Sequence, residues 1–148
     1  MKKFEFSLGR VLDWRETLAR VEESKLERLY AERRAIESSK AVLLTERSRT
    51  EQAVAHAPDH TGLELEAFDA FRRFTVAEHT RLEQRRAECT KKISAQIQVV
   101  AAKRRDVRLL EHLRQKRLLD WRRDLGREME IQAGEIYLAN WNRKQAGN

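Results

Sequence analysis

The chain has 148 residues, with 31 Lys and Arg, 24 Asp and Glu, and a formal net charge of +7. Charged residues make up 37% of it, against five glycines, one proline and one cysteine. So few turn residues exclude an all-β or α/β domain, and one cysteine excludes an internal disulfide. A hydrophobic fraction of 41% is too high for a disordered tail. These figures point to an all-α fold of long helices.

The first helix has a start signal at Ser7, an N-cap candidate, with Phe6 and Val11 placed for a hydrophobic staple. Neither Gly nor Pro occurs from Arg10 to Ala55, and the spacing predicts a helix over about 8–55. Its expected apolar stripe is Leu8, Val11, Leu18, Leu26, Leu29, Ile36, Leu43 and Val54. A loop is expected over about 56–62, where Pro58 disfavours helical geometry at Ala57. Thr61-Gly62-Leu63-Glu64 then has the form of a capping box. A second helix is expected over about 63–142, with a seam of Leu82, Cys89, Ile93, Val100, Val107, Leu110, Leu118, Trp121, Leu125 and Ile136. At 1.5 Å per residue, the uninterrupted stretches would be roughly 70 Å and 95 Å long. Arg15, Glu22, Lys40 and Lys103 interrupt the seam with charge.

The expected architecture is a single long antiparallel two-helix coiled-coil hairpin. Residues 13–32 carry six acids and four bases, whereas 103–127 carry ten bases and four acids. Facing these stretches sets residue 13 near 130 and residue 55 near 88, with Trp14 beside the Trp121 to Leu125 turns. That register leaves 56–87 at the tip. Two arrangements follow: a short extra helix around 63–77 with a break near 76–80, or one straight second helix that overhangs the first.

No catalytic constellation is present. Cys89 falls on the apolar seam, and His56 and His60 flank Asp59 in a loop without a third strong ligand. His79 and His112 stand among charged neighbours. A two-helix hairpin offers no enclosed pocket, so the expectation is a non-enzyme that needs no metal and no cofactor. No apolar run approaches the ~20 residues that span a bilayer, and no signal-peptide pattern is seen, which directs expectation to the cytoplasm. The basic run from Lys103 to Arg127 is the candidate for nucleic acid, but acids interrupt it. Phe68, Phe71 and Phe74 form an aromatic cluster near the tip, suited to core packing or to docking a partner.

The opening Lys3-Phe4-Glu5-Phe6-Ser7-Leu8-Gly9-Arg10-Val11-Leu12-Asp13-Trp14-Arg15 resembles the start of flagellar export protein FliJ sequences. The stretch Leu110 to Arg117, then Trp121-Arg122-Arg123, Glu128 and the ending Glu135-Ile136-Tyr137-Leu138-Ala139, is similar to the family's second half. Gly134 departs from it, standing where the family more often has Asp.

The resemblance implies a component of the bacterial flagellar type III export apparatus, similar to the central stalk of rotary ATPases. It implies insertion into a hexameric export ATPase ring, promotion of its assembly and activity, and a link to the membrane export-gate protein, with export chaperones as further partners. The location implied is cytoplasmic, peripheral at the inner membrane through partners. On this reading Arg10, Asp13, Arg15, Arg122, Arg123 and Glu128 face the ATPase, and Phe71, Phe74, Glu78 and Leu82 face the gate. Nucleic acid is not the first choice. A basic helical nucleic-acid-binding protein and a generic scaffold coiled coil are the other classes the residues allow.

Overall fold

The computed structural model describes residues 3–146. Two helices account for nearly all of them: α1 (Gly9–His56) and α2 (Gly62–Ala146), in an all-α chain with no strand among the described residues. They pack against each other antiparallel. The described chain divides into two compact units. One gathers the residues up to Ala19 with those from Lys103 onward; the other is Arg20–Ala102.

Within Arg20–Ala102, the connection between the helices is short. His56 ends α1, and its Nδ1 lies 2.8 Å from the Gln52 carbonyl oxygen. The capping box forms as the sequence pattern predicts. The Thr61 amide donates to Glu64 Oε2 at 2.8 Å, and the Glu64 amide donates to Thr61 Oγ1 at 3.3 Å. Two otherwise orphaned amides are thereby satisfied, and α2 starts at once.

A short loop fixes the register, because each step back along α1 matches one step forward along α2. Lys40 pairs with Glu83, Arg86 Nε lies 2.5 Å from Glu37 Oε1, and Gln96 donates to the Glu22 carbonyl oxygen at 3.0 Å. The register expected from charge matching, with residue 55 near 88, is therefore wrong. No segment is left over at the tip, and the break expected near 76–80 is absent. Its physical basis is missing too: that stretch lacks Gly and Pro, and buried Thr75 and Leu82 carry the seam through it.

The core here is Ile36, Leu82, Cys89 and Ile93, with Leu26, Leu29, Tyr30 and Leu43 packed on it. Thr75 is 2% exposed and satisfies its hydroxyl on the Arg72 carbonyl oxygen at 2.8 Å. Cys89 is buried, and its thiol points at the Leu29 carbonyl oxygen, 3.4 Å away.

The other unit packs the start of α1 on the later part of α2. Leu12, Ala19 and Val107 are its core, joined by Phe6 and Leu110. Arg15 Nη1 lies 3.1 Å from Asp106 Oδ2, and the Phe4 and Trp121 rings meet with centroids 6.0 Å apart. Trp14, expected beside Trp121, is instead 56% exposed, because residue 15 faces residue 106.

Ser7 does not take the cap position. The Gly9 amide donates to the Phe6 carbonyl in a turn, and the first helical bond runs from the Leu12 amide to Leu8. The seam shifts accordingly: Leu12 is buried where Val11 was expected, and Val11 is 40% exposed. Ile136 is 63% exposed, because the start of α1 does not reach it.

The capping box carries a pH signature. The Thr61 amide bond holds the Glu64 carboxyl below its ordinary value, as does the Thr61 hydroxyl. A carboxyl depressed by folding contributes stability above its unfolded pKa and loses it as pH falls through the folded one. The Lys40 ammonium lowers Glu83 in the same direction. Urea midpoints are therefore expected to fall as pH drops below about 4.5, with a shallower fall in Glu64→Gln.

Candidate functional site

Helical periodicity brings Phe71, Glu78 and Leu82 to one side of α2, with Phe74 next to them. All four line one open groove of about 480 Å³. The opposite wall comes from α1, through Ser38, Ser39, Val42, Leu43 and Glu46. Leu82 is 4% exposed and forms part of the core, so it serves as floor, whereas Phe74 is 58% exposed. Phe71 is half-buried between them. Glu78 is held by Arg81, which donates through Nε at 2.8 Å and Nη2 at 2.5 Å to its two oxygens. This bidentate contact lowers the Glu78 pKa and fixes the orientation of its ion-paired carboxylate at the groove edge. Its chemistry is that of a docking slot: aromatic faces, an apolar floor and one oriented carboxylate.

The six charged residues expected to act together at the chain ends are not brought together. Arg10 and Asp13 are exposed on α1 inside the paired part of their unit. Arg15 is half-buried, bonded to Asp106, with its guanidinium 5.1 Å from the Trp14 ring centroid. Its first role is structural. Arg122 and Arg123 follow Trp121, the residue that meets Phe4, and so lie beyond the start of α1. Arg123 keeps a long contact to Asp120 at 3.6 Å and is 74% exposed, while Glu128 is exposed. They form a short charged stretch on an uncovered helix, separate from Arg10 and Asp13.

Charges expected to weaken the seam are matched across it. Lys40, 12% exposed at its side chain, contacts both Glu83 and Glu37. Gln96 donates to the Glu22 carboxylate at 2.6 Å. With the register set by the short loop, pairs of this kind offset the cost of placing charge beside the seam and add little net stability.

Of the α1 wall the sequence placed only Leu43 on the stripe; Ser38, Ser39, Val42 and Glu46 stand beside it and were not found. Among the described residues no group of three or more His, Cys, Asp or Glu could hold a metal ion. Among the described residues no helix is long and apolar enough to cross a membrane. Comparison of the chain with models of known protein families, with curated proteins and with solved structures finds no match.

Proposed function

We propose that this chain is a non-enzymatic, stalk-like component of a bacterial flagellar type III export apparatus. It engages a hexameric export ATPase through the charged end that includes Arg122 and Arg123, and a membrane export-gate protein through the Phe71–Phe74–Glu78 groove. Its place is the cytoplasmic face of the inner membrane, held there by partners. The observation that carries this reading is the N-terminal pattern from Lys3 to Arg15, which resembles the FliJ start, on a chain of two antiparallel long helices.

Two features support it. Arg122 and Arg123 stand on a helix that the start of α1 leaves uncovered, so a ring of acidic loops could reach them. Contacts from exposed arginines are shallow and polar, each weak enough to break and reform as the shaft shifts between subunits. The groove offers a partner a preformed apolar slot with Phe74 still exposed.

Titration into the export ATPase is expected to raise its hydrolysis rate. Charge reversal at both Arg122 and Arg123 should weaken that effect roughly tenfold, the change that about 1.4 kcal/mol of lost docking gives. Helicity by circular dichroism should stay unchanged. Absence of stimulation together with absence of co-sedimentation at low salt would remove the export reading. Steeply salt-dependent binding to nucleic acid in its place would favour the basic helical nucleic-acid-binding class.

A further inference from the structure

Arg28 on α1 and Lys92 on α2 line the two walls of an open slot of about 450 Å³. The register that joins Glu22 to Gln96 and Glu37 to Arg86 sets residues 28 and 92 level with each other. Both are exposed, and neither forms an ion pair among the described residues. The floor between them is apolar. Leu29 is half-buried against the core, and Ala95 and Val99 follow along α2, with Val99 40% exposed. All of these residues belong to the Arg20–Ala102 unit.

The two sides of the seam are built differently. Each residue turns a helix by about 100°, so residues just before and just after a seam position flank opposite sides. Glu37 follows Ile36 and Glu83 follows Leu82, and on that side ion pairs cross between the helices, Lys40 with Glu83 and Arg86 with Glu37. Arg28 precedes Leu29 and Lys92 precedes Ile93, and on this side like charges face each other. Lys25 is a third cation on the slot, bonded to Glu22 at 2.8 Å. Glu32 also lines the slot but pairs with neither Arg28 nor Lys92. Even with Lys25 neutralised by Glu22, cations are in excess.

We infer that this slot docks an acidic amphipathic helix of a partner protein. A carboxylate placed between Arg28 and Lys92 accepts from both and relieves their repulsion, and the arginine fork can take it bidentately. The apolar floor calls for leucine-like side chains next to those acids, as on one face of a helix. An extended strand finds no edge here, because both helices bond their own backbone groups internally. Val21, one heptad before Arg28 and 47% exposed, lengthens the apolar strip. From Val21 to Glu32 the surface runs roughly 16 Å, about three turns of a partner helix. A contact this short lies at the low end for specific interfaces, so the affinity expected is roughly tens of micromolar. Arg28 and Val42, like Lys92 and Glu78, are two heptads apart, so the slot shares a side of the hairpin with the Phe71–Glu78 groove. It differs from that groove in charge, and it uses none of the residues assigned to the export gate or the ATPase. The inference therefore stands apart from the export reading.

The probe is a capped helical peptide of about 18 residues, with leucines at spacing three and four and glutamates beside them, titrated into the full isotope-labelled chain. Amide shifts in its NMR spectrum are expected over Lys25–Glu32 and Lys92–Val99. The double variant Arg28→Glu, Lys92→Glu should raise the Kd at least about tenfold. The double variant Arg34→Glu, Lys91→Glu makes the same change in net charge at exposed cations outside the slot, and should move the Kd by less than about twofold. All four positions are exposed, so helicity is expected to stay unchanged. A peptide with lysine in place of every glutamate should not bind. Equal losses in the two double variants would overturn the inference, by reducing the contact to the attraction of a chain of net charge +7 for any acid. Equal affinity for polyglutamate, which has no apolar side chain for the floor, would overturn it too. So would shifts confined to Phe71–Leu82, or none up to roughly 1 mM peptide.

Discussion

Ile36→Ala is expected to lower the unfolding free energy by about 2–4 kcal/mol. Ile36 is 3% exposed at the centre of the Arg20–Ala102 core, where it joins Leu82, Cys89 and Ile93. Alanine regains less than 1 kcal/mol through better helix propensity. The lost burial and the cavity outweigh that gain, because helices held by a seam one residue wide cannot collapse around a gap. Only seven hydrophobic residues are buried among those described, so each carries a large share of the stability. Against a typical total of about 5–15 kcal/mol, the loss is a large fraction. Urea unfolding followed by circular dichroism should show it as a lower midpoint, whereas Val42→Ala, at a site 61% exposed, should shift stability by no more than about 0.5 kcal/mol. A change at Ile36 as small as that at Val42 would mean the seam is not packed there.

Much of the fold was legible from simple features. The absence of Gly and Pro from Arg10 to Ala55 and from Leu63 to Leu125 marks two long helices, and Pro58 with Thr61 and Glu64 marks the turn between them. Ile36, Leu82, Cys89, Ile93 and Val107 could be placed on the seam because apolar spacing reports burial directly. Register was not legible from net charge. An acidic and a basic stretch of some 20 residues attract each other over many offsets at nearly equal energy, and exposed pairs contribute little each. The loop decides, because a capping box directly after Pro58 permits only one short closure. The pairs that form, such as Lys40 with Glu83 and Arg15 with Asp106, are consequences of that closure.

The candidate site was legible to a similar depth. Spacing gave the cluster Phe68, Phe71 and Phe74, and the resemblance added Glu78 and Leu82, but neither could show that Leu82 is buried as floor while Phe74 stays exposed. That division depends on where α1 runs. Sequence likewise could not show that Arg15 is engaged by Asp106 while Arg122 and Arg123 lie past the start of α1.

Val107→Asp is expected to open one unit selectively. Val107 is 6% exposed and completes a core of only three buried residues, with Leu12 and Ala19. Replacing it removes about 1.5–2 kcal/mol of apolar burial and places a carboxylate in the seam. Arg15, which pairs across this seam, already serves Asp106. Turning to the new carboxylate would strip the old one, so no net ion pair is gained. The combined cost should reach about 3 kcal/mol. Hydrogen exchange is the right readout, because regions with few buried contacts open on their own and report local free energy. Amides from Leu12 to Ala19 and from Lys103 to Trp121 should lose protection by roughly a hundredfold, as about 3 kcal/mol implies. Amides between Leu29 and Cys89 depend on a different core and should keep theirs. An equal loss in both would show that the two cores melt as one cooperative body, and that three buried side chains suffice to hold the start of α1 only because the larger core secures the rest of both helices.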